Sequence, residues 1–496
     1  MNTSDTHSRV NEFCSSKLDP SARLPEMAFA RAMPESTTQW CVNRVFWIRE
    51  ALPHTMRTGD LECVVRRLEP DQLGFRCWSG DVEVDVRSPL SEEAFHAMPF
   101  AEQAGLLRTW KPKTLNWDGP VKEGLAATLQ AEARARSVYY FEHADQLTGL
   151  DPLYSIALVR GFSEGLGGKN VSDWKPFWDF ACWVVAQPDP QIEIRDEFSG
   201  DAQPGRRWQS CRLEIARFVD AILNGKLSPL PLNERASVWQ LIDALRHDPS
   251  PAPFDEARED ERVTDSLALS LNTVRGVAAH TVFSYIFWVR SLSPRNATGG
   301  QNLDDVPEAR CALEAFLDPQ FEPSLAIRSV FGANIARLAY WAEAWLRDHL
   351  ERVLPVQSQD EHSKAAWEAF IRFSVPNSRT LRLLHRHYTA AIARMPRKVM
   401  AGNPNRDHGV SLGQHLILDY SQGNLDFEKQ GDLLAVFFTR TPESVRAELM
   451  AFVGRNLTQS NKTISPEQSA RLLKLWNWLV QHESPSGGPG VRDQVA

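Results

Sequence analysis

Residues 265–292, DSLALSLNTVRGVAAHTVFSYIFWVRSL, decide the fold class. Leu267, Leu271, Val274, Ala278, Val282, Tyr285, Val289 and Leu292 recur at steps of three or four, the spacing of one helix face. A second stripe runs Leu269, Thr273, Gly276, His280, Phe283 and Phe287, and leaves mainly Ser270, Asn272, Arg275 and Arg290 as polar surface. A helix that is apolar on most sides is a buried helix or a membrane span. The uncharged run from Gly276 to Val289 is shorter than the roughly 18 residues a span requires. The stretch therefore reads as a central core helix with other helices packed on both sides. Gly276 admits a close neighbour, and Arg275 and His280 need partners if they are buried.

Helical patterning continues on both sides of this stretch. Upstream it covers Ser91–Trp110, Val121–Leu147, Tyr154–Leu166, a Trp174/Trp178/Val185 helix and a Trp208–Ile222 helix with Gly225 at its C-terminal cap. Asn233 is placed to cap the helix carrying Trp239. That helix stops at Asp248-Pro249-Ser250-Pro251-Ala252-Pro253, the clearest break in the chain. Downstream the pattern predicts helices over Pro307–Leu317, Ser324–Phe331, Asn334–Val353, Ala365–Phe373 and Thr380–Arg394. Thr441-Pro442-Glu443 and the capping box Ser465-Pro466-Glu467-Gln468 start the last two. The β signal lies near the N-terminus, where Leu73–Trp78, Ser79-Gly80-Asp81 and Val82–Arg87 read as a hairpin. The expected fold is all-α: an irregular HEAT/TPR-like helical-repeat array (an α-solenoid) with a small N-terminal mixed α/β module. The expected organisation is a loose N-terminus at 1–30, the mixed module at 31–90, helical blocks at 91–250 and 261–482, and a Gly/Pro/Ser-rich tail at 483–496. No fixed repeat period is visible, which disfavours a regular TPR or ankyrin array.

Composition bounds the function classes. The chain has 496 residues, ordinary apolar (43%) and charged (24%) content, sixteen Trp and a net charge of −8. That balance argues against coating nucleic acid over the whole surface. Cys14, Cys41, Cys63, Cys77, Cys182, Cys211 and Cys311 are scattered and form no CxxC pair. Reduced, buried thiols in a cytoplasmic protein are the reading, rather than a disulfide frame or a zinc site. No segment reads as a signal peptide or membrane span, and no cofactor is expected.

Three motifs bear on chemistry. Gly161-Phe162-Ser163-Glu164-Gly165 matches the GxSxG nucleophile pattern, but that motif needs a strand before the serine and a helix after it. Here a helix precedes it and Gly167-Gly168 follow. Gly165 to Asn170 hints at a phosphate loop, yet Ser163 and Asn170 stand where the pattern requires Gly and Ser or Thr. His385 and His387 are two apart on a helix and face different ways. No intact catalytic motif results, and the chain reads as a non-enzyme, with a hydrolase using an unrecognised site as an alternative.

The charge distribution is more informative. From Ala369 to Arg406 there is no Asp or Glu, while the stretch carries Arg372, Arg379, Arg382, Arg386, Arg394, Arg397, Lys398 and Arg406. Arg379, Arg382 and Arg386 step by three and four, which predicts one helix face, and Arg394, Arg397 and Lys398 extend the row. The functional reading is a patch for phosphates or an acidic protein partner. The plainer one is a solvated face paired with acidic helices.

Ser91–Trp110 with Met98, the Trp174 helix ending Cys182-Trp183-Val184-Val185-Ala186-Gln187-Pro188, and the Asp248-Pro249-Ser250-Pro251 break form a set with two further stretches. These are Leu271-Asn272-Thr273-Val274-Arg275-Gly276 and Pro323-Ser324-Leu325-Ala326-Ile327-Arg328. Over roughly 88–482 this set resembles the helical C-terminal sensor arms of large bacterial STAND-type NTPases and related defence-associated proteins. The resemblance implies an α-solenoid that senses a ligand in a bacterial cytoplasm, and points to antiviral defence. It also implies a protein partner, such as a separately encoded NTPase or effector, because no NTPase motif is found in this chain.

Overall fold

The computed structural model describes residues 87–112, 120–189, 207–253, 256, 265–293, 302–357, 360–374, 377–395, 408–459 and 465–481. The chain divides into two compact units, Met1–Val84 and Asp85–Ala496, and all the described residues belong to the second. The expected β-hairpin, the loose N-terminus and the C-terminal tail lie outside the described residues. Both helical blocks, on either side of the proline-rich break, fall in the one second unit.

Among the described residues every regular element is a helix. The order begins α1 (Glu92–Ala97), α2 (Phe100–Thr109), α3 (Lys122–Ala135), α4 (Ser137–Phe141) and α5 (Pro152–Gly165). It continues with α6 (Lys175–Val185), α7 (Trp208–Leu223), α8 (Arg235–Leu245), α9 (Ser266–Leu271) and α10 (Val274–Leu292). Then come α11 (Pro307–Phe316), α12 (Leu325–Trp341), α13 (Glu343–Val353), α14 (Glu361–Phe373) and α15 (Ser378–Leu383). The last are α16 (His385–Arg394), α17 (His408–Ser421), α18 (Leu433–Arg440), α19 (Glu443–Gln459) and α20 (Pro466–Gln481).

One row of helices carries the frame: α3, α5, α7, α10, α12, α14 and α17 pack each on the next, in chain order. Matched ends show that neighbours in the row run the same way. Lys122 at the start of α3 pairs with Asp151 at the start of α5 at 2.6 Å. The Cys211 thiol, early in α7, donates to the Pro152 carbonyl early in α5. Phe283 and Phe287 of α10 meet Phe331 and Trp341 of α12 in the same order. Between α12 and α14 the return helix α13 runs back, so that Arg328 near the start of α12 donates to the Arg352 carbonyl at the end of α13 at 2.6 Å.

Glycines let the row close up. A Cβ on Gly332 would lie 1.9 Å from the Ala366 carbonyl oxygen of α14. This glycine explains one difference from the sequence reading, which breaks the chain between Phe331 and Asn334. The helix runs through, because the glycine serves close packing, and the break falls at Ala342 instead. Two expected caps also differ. Asn233 sits inside a single 3-10 turn ahead of α8 and makes no cap bond to that helix. Thr441 turns its hydroxyl back to the Phe437 carbonyl of α18. The Ser465 capping box forms as read, with reciprocal bonds to Gln468.

The decisive stretch is two helices, α9 and α10, parted at Asn272-Thr273. Asn272 and Thr273 direct their side chains to the Ala268 and Leu269 carbonyls, a local competition that ends helices. Helix α10 is buried along nearly its whole length, as the two stripes require. The close neighbour of Gly276 is the preceding helix: a Cβ there would lie 2.2 Å from the Ser270 carbonyl oxygen. Helix α9 crosses the row, packing on α10, α12 and α14. Arg217 of α7 holds its Leu271 end at 3.1 Å, and Arg372 of α14 pairs with its cap residue Asp265 at 2.6 Å.

Arg275 and His280 have their partners. The Arg275 guanidinium donates to the carbonyls of Asp248 and Pro251 at 2.7 and 2.9 Å and lies 2.9 Å from Glu322. It thereby fixes the proline-rich break against α10. His280 Nε2 lies 2.9 Å from the Ser270 hydroxyl, and burial pushes its imidazole down to about 4. A second buried arginine, Arg212 of α7, reaches Asp189 and Asp248 at 2.5 Å each and donates to the Gln187 carbonyl.

Candidate functional site

The acid-free stretch begins in the last two turns of α14 and runs through α15 and α16. Asn377 opens α15 with a capping box closed by Thr380. The chain then breaks at Leu384, so the single helix face expected for Arg379, Arg382 and Arg386 does not form. Arg379 and Arg382 ride on α15, and Arg386 rides on α16. Leu381, Leu384, Tyr388 and Ile392 reach the core at steps of three and four, as on an unbroken helix, and His387 is buried beside them.

The arginines divide into two groups. Arg372 pairs with Asp265. Arg379 lies 3.4 Å from Glu343, donates to the Ala339 and Tyr340 carbonyls at the end of α12, and sits 5.8 Å over the Tyr340 ring. Arg394 donates to the Val356 carbonyl at 2.6 Å. These three work within the array. Arg382 and Arg386 are exposed and have no hydrogen bond or ion pair among the described residues. Arg397, Lys398 and Arg406 lie outside the described residues.

Beneath Arg382 is a buried polar group that the sequence reading did not single out. Asp419 of α17 is 1% exposed. One of its oxygens accepts from the Asn424 amide at 3.0 Å, and the other has no partner among the described residues. Burial raises its carboxyl, while the Asn424 bond and the Arg382 charge pull it down. One turn earlier on the same helix, His415 Nδ1 meets the Tyr388 hydroxyl at 2.8 Å, and burial pushes this imidazole down to about 4. The sequence signal for this cluster is the i, i+4 spacing of His415 and Asp419 around the apolar run Leu416-Ile417-Leu418.

Two exposed aromatics flank the arginines that are already engaged. Tyr340 is 67% exposed beside Arg379, and Phe373 is 51% exposed with Arg372 5.0 Å over its ring. They close their helices, where an apolar residue on a polar face was the signal available.

The other motifs resolve into packing. Gly161 and Gly165 are where α5 approaches α3, with Cβ positions 2.7 Å from the Ala133 methyl and 2.4 Å from the Arg134 carbonyl oxygen. Ser163 lies inside α5 and donates to the Val159 carbonyl of its own helix at 3.0 Å. Lys169 reaches the Ser137 hydroxyl at 2.9 Å. His385 is exposed, and His387 is buried against the Leu354 carbonyl at 2.6 Å. Cys211 is buried, Cys182 half-buried and Cys311 exposed, so the expectation of buried thiols holds for Cys211 alone of the three. Among the described residues no group of three His, Cys, Asp or Glu could hold a metal, and no helix is long and apolar enough to cross a membrane.

Comparison with protein-family models, with curated proteins and with solved structures finds no match for this chain.

Proposed function

We propose that this chain is a non-enzymatic helical-repeat protein, an irregular HEAT-like solenoid, that senses or scaffolds by docking a protein partner. Support for the solenoid comes from the row of like-directed helices, each packed on the next, with α13 as a return helix. The observation that carries the docking reading is the pair Arg382 and Arg386, two exposed guanidiniums that make no hydrogen bond or ion pair among the described residues, in a stretch devoid of Asp and Glu. Guanidinium forks suit carboxylates and phosphates alike. An acidic protein is favoured over nucleic acid because three of the described arginines here are already engaged. Nucleic-acid affinity grows with the number of phosphates neutralised, and among the described residues this stretch offers two free guanidiniums. The setting implied by the sequence resemblance is bacterial antiviral defence, with an NTPase or effector encoded separately as the partner.

The test is the double change Arg382→Glu and Arg386→Glu, followed by capture from the native host and identification of what co-purifies. A folded variant that loses the partner retained by the wild type supports the reading. A variant that retains it makes the two arginines a solvated face. Capture of nucleic acid, with a steep salt dependence, would replace the reading by the phosphate one.

A further inference from the structure

A second feature lies on other elements. The ends of α8 and α11, the first turn of α10 and the loop ahead of α12 enclose a cleft of about 290 Å³, lined by Arg246, His247, Arg275, Phe316, Phe321 and Glu322 among others. That is the lower end of the range for small-ligand sites. Its polar groups are unequally used. Arg275 spends its guanidinium on the proline-rich break and on Glu322, and Glu322 also accepts from the Ser324 amide. Arg246 holds Asp243 through Nε and Nη2 at 2.8 and 2.6 Å, which leaves Nη1 without a partner among the described residues. His247 donates its Nδ1–H to the Asp243 carbonyl at 2.7 Å, so Nε2 of the neutral ring is an acceptor. Phe316 is buried, while Phe321 stands 69% exposed at the rim. An exposed phenyl group beside an unused guanidinium N–H gains by a ligand that covers the one and accepts from the other.

We propose that this cleft binds a carboxylate joined to an aromatic body, the acid at Arg246 and the ring against Phe321. The same chemistry comes from a free aromatic acid or from a peptide whose last residue is aromatic. A single negative charge fits better than a phosphate dianion, because Asp243 and Glu322 already stand beside the two guanidiniums. This reading is separate from the docking surface and shares no residue with it.

Calorimetric titration of the full chain tests it. The probes are phenylacetate, its amide phenylacetamide, and the peptide Gly-Gly-Phe with a free or an amidated C-terminus. Saturable binding of at least one acid, absent for its amide, is expected, and the tighter acid identifies the source. Arg246→Gln and Phe321→Ala should each weaken that acid by about tenfold, the worth of one charge-assisted bond or one covered ring. Arg246 also holds Asp243, so each variant is first checked by thermal melt; the rim position of Phe321 keeps the test valid if Arg246→Gln fails to fold. Absence of saturable binding by either acid, equal binding of acid and amide, or unchanged affinity in the folded variants would overturn the proposal.

Discussion

At the scale of single residues, the tightest demands fall on glycines. Gly332 faces the Ala366 carbonyl oxygen with no room for a Cβ, and backbone cannot swing aside as a side-chain end can. Gly332→Ala is expected to lower stability by about 1–3 kcal/mol, the usual range for overpacking. Gly105, inside α2, has nothing within 4 Å of its Cβ position. Gly105→Ala should raise stability by up to ~1 kcal/mol through helix propensity. Denaturant melts of the two variants check both signs. The GxSxG stretch behaves in the same way: Gly161→Ala should destabilise, and Ser163→Ala should leave both stability and partner capture unchanged. Loss of capture by a folded Ser163→Ala protein would revive a hydrolase reading.

At the scale of elements, buried polar groups decide where helices meet. Arg212 binds the loop after α6 to the proline-rich break through two aspartates. Removing one partner of such a group leaves uncompensated charge, so Arg212→Met should cost about 3–5 kcal/mol, read from the denaturant midpoint. His415 gives a pH prediction. It is neutral in folded and unfolded chains above about pH 6.5. As pH falls, the unfolded chain takes up a proton first, because the folded imidazole titrates near 4. Stability is therefore lost between those values, by up to about 1.4 kcal/mol per pH unit. The raised carboxyls of Asp220, Glu322 and Asp419 act in the opposite direction. The comparison is therefore wild type against His415→Gln at each pH, and the variant should show the shallower fall. Helix existence was legible at this scale, since three-and-four spacing of apolar side chains is a local property. Breaks were less so. Gly332 reads as a breaker but packs, whereas Asn272-Thr273 and Leu384 carry no breaker and yet part their helices. At Asn272-Thr273 the cause is local, two side chains bonded back to the Ala268 and Leu269 carbonyls. The arginine row was legible as composition only; which guanidiniums are already engaged depends on Asp265, Glu343 and carbonyls far away in sequence.

At the scale of the whole molecule, the most extensive helix pairings among the described residues lie along the row. Such an order makes protection uneven along the chain. Backbone amides of α10 and α12, flanked on both sides, should exchange most slowly in native-state hydrogen exchange. Those of α19 and α20, near the end of the order, should exchange fastest. Uniform protection would mean that the array opens as one cooperative body. The all-α class followed from patterning, but the direction of the row did not, because nothing local tells a helix which way its neighbour runs.

A stack linked only from neighbour to neighbour is mechanically a spring, free to bend and twist a little at every joint. Helix α9 changes that over part of the length. With Arg217 of α7 gripping one end and Arg372 of α14 the other, and α10 and α12 seated against it between them, it acts as a brace across four coils. The braced stretch has to move as a plate, so elastic give is left to the helices before α7 and after α14. A load across the described helices is expected to bend the packing before α7 and after α14 rather than between them.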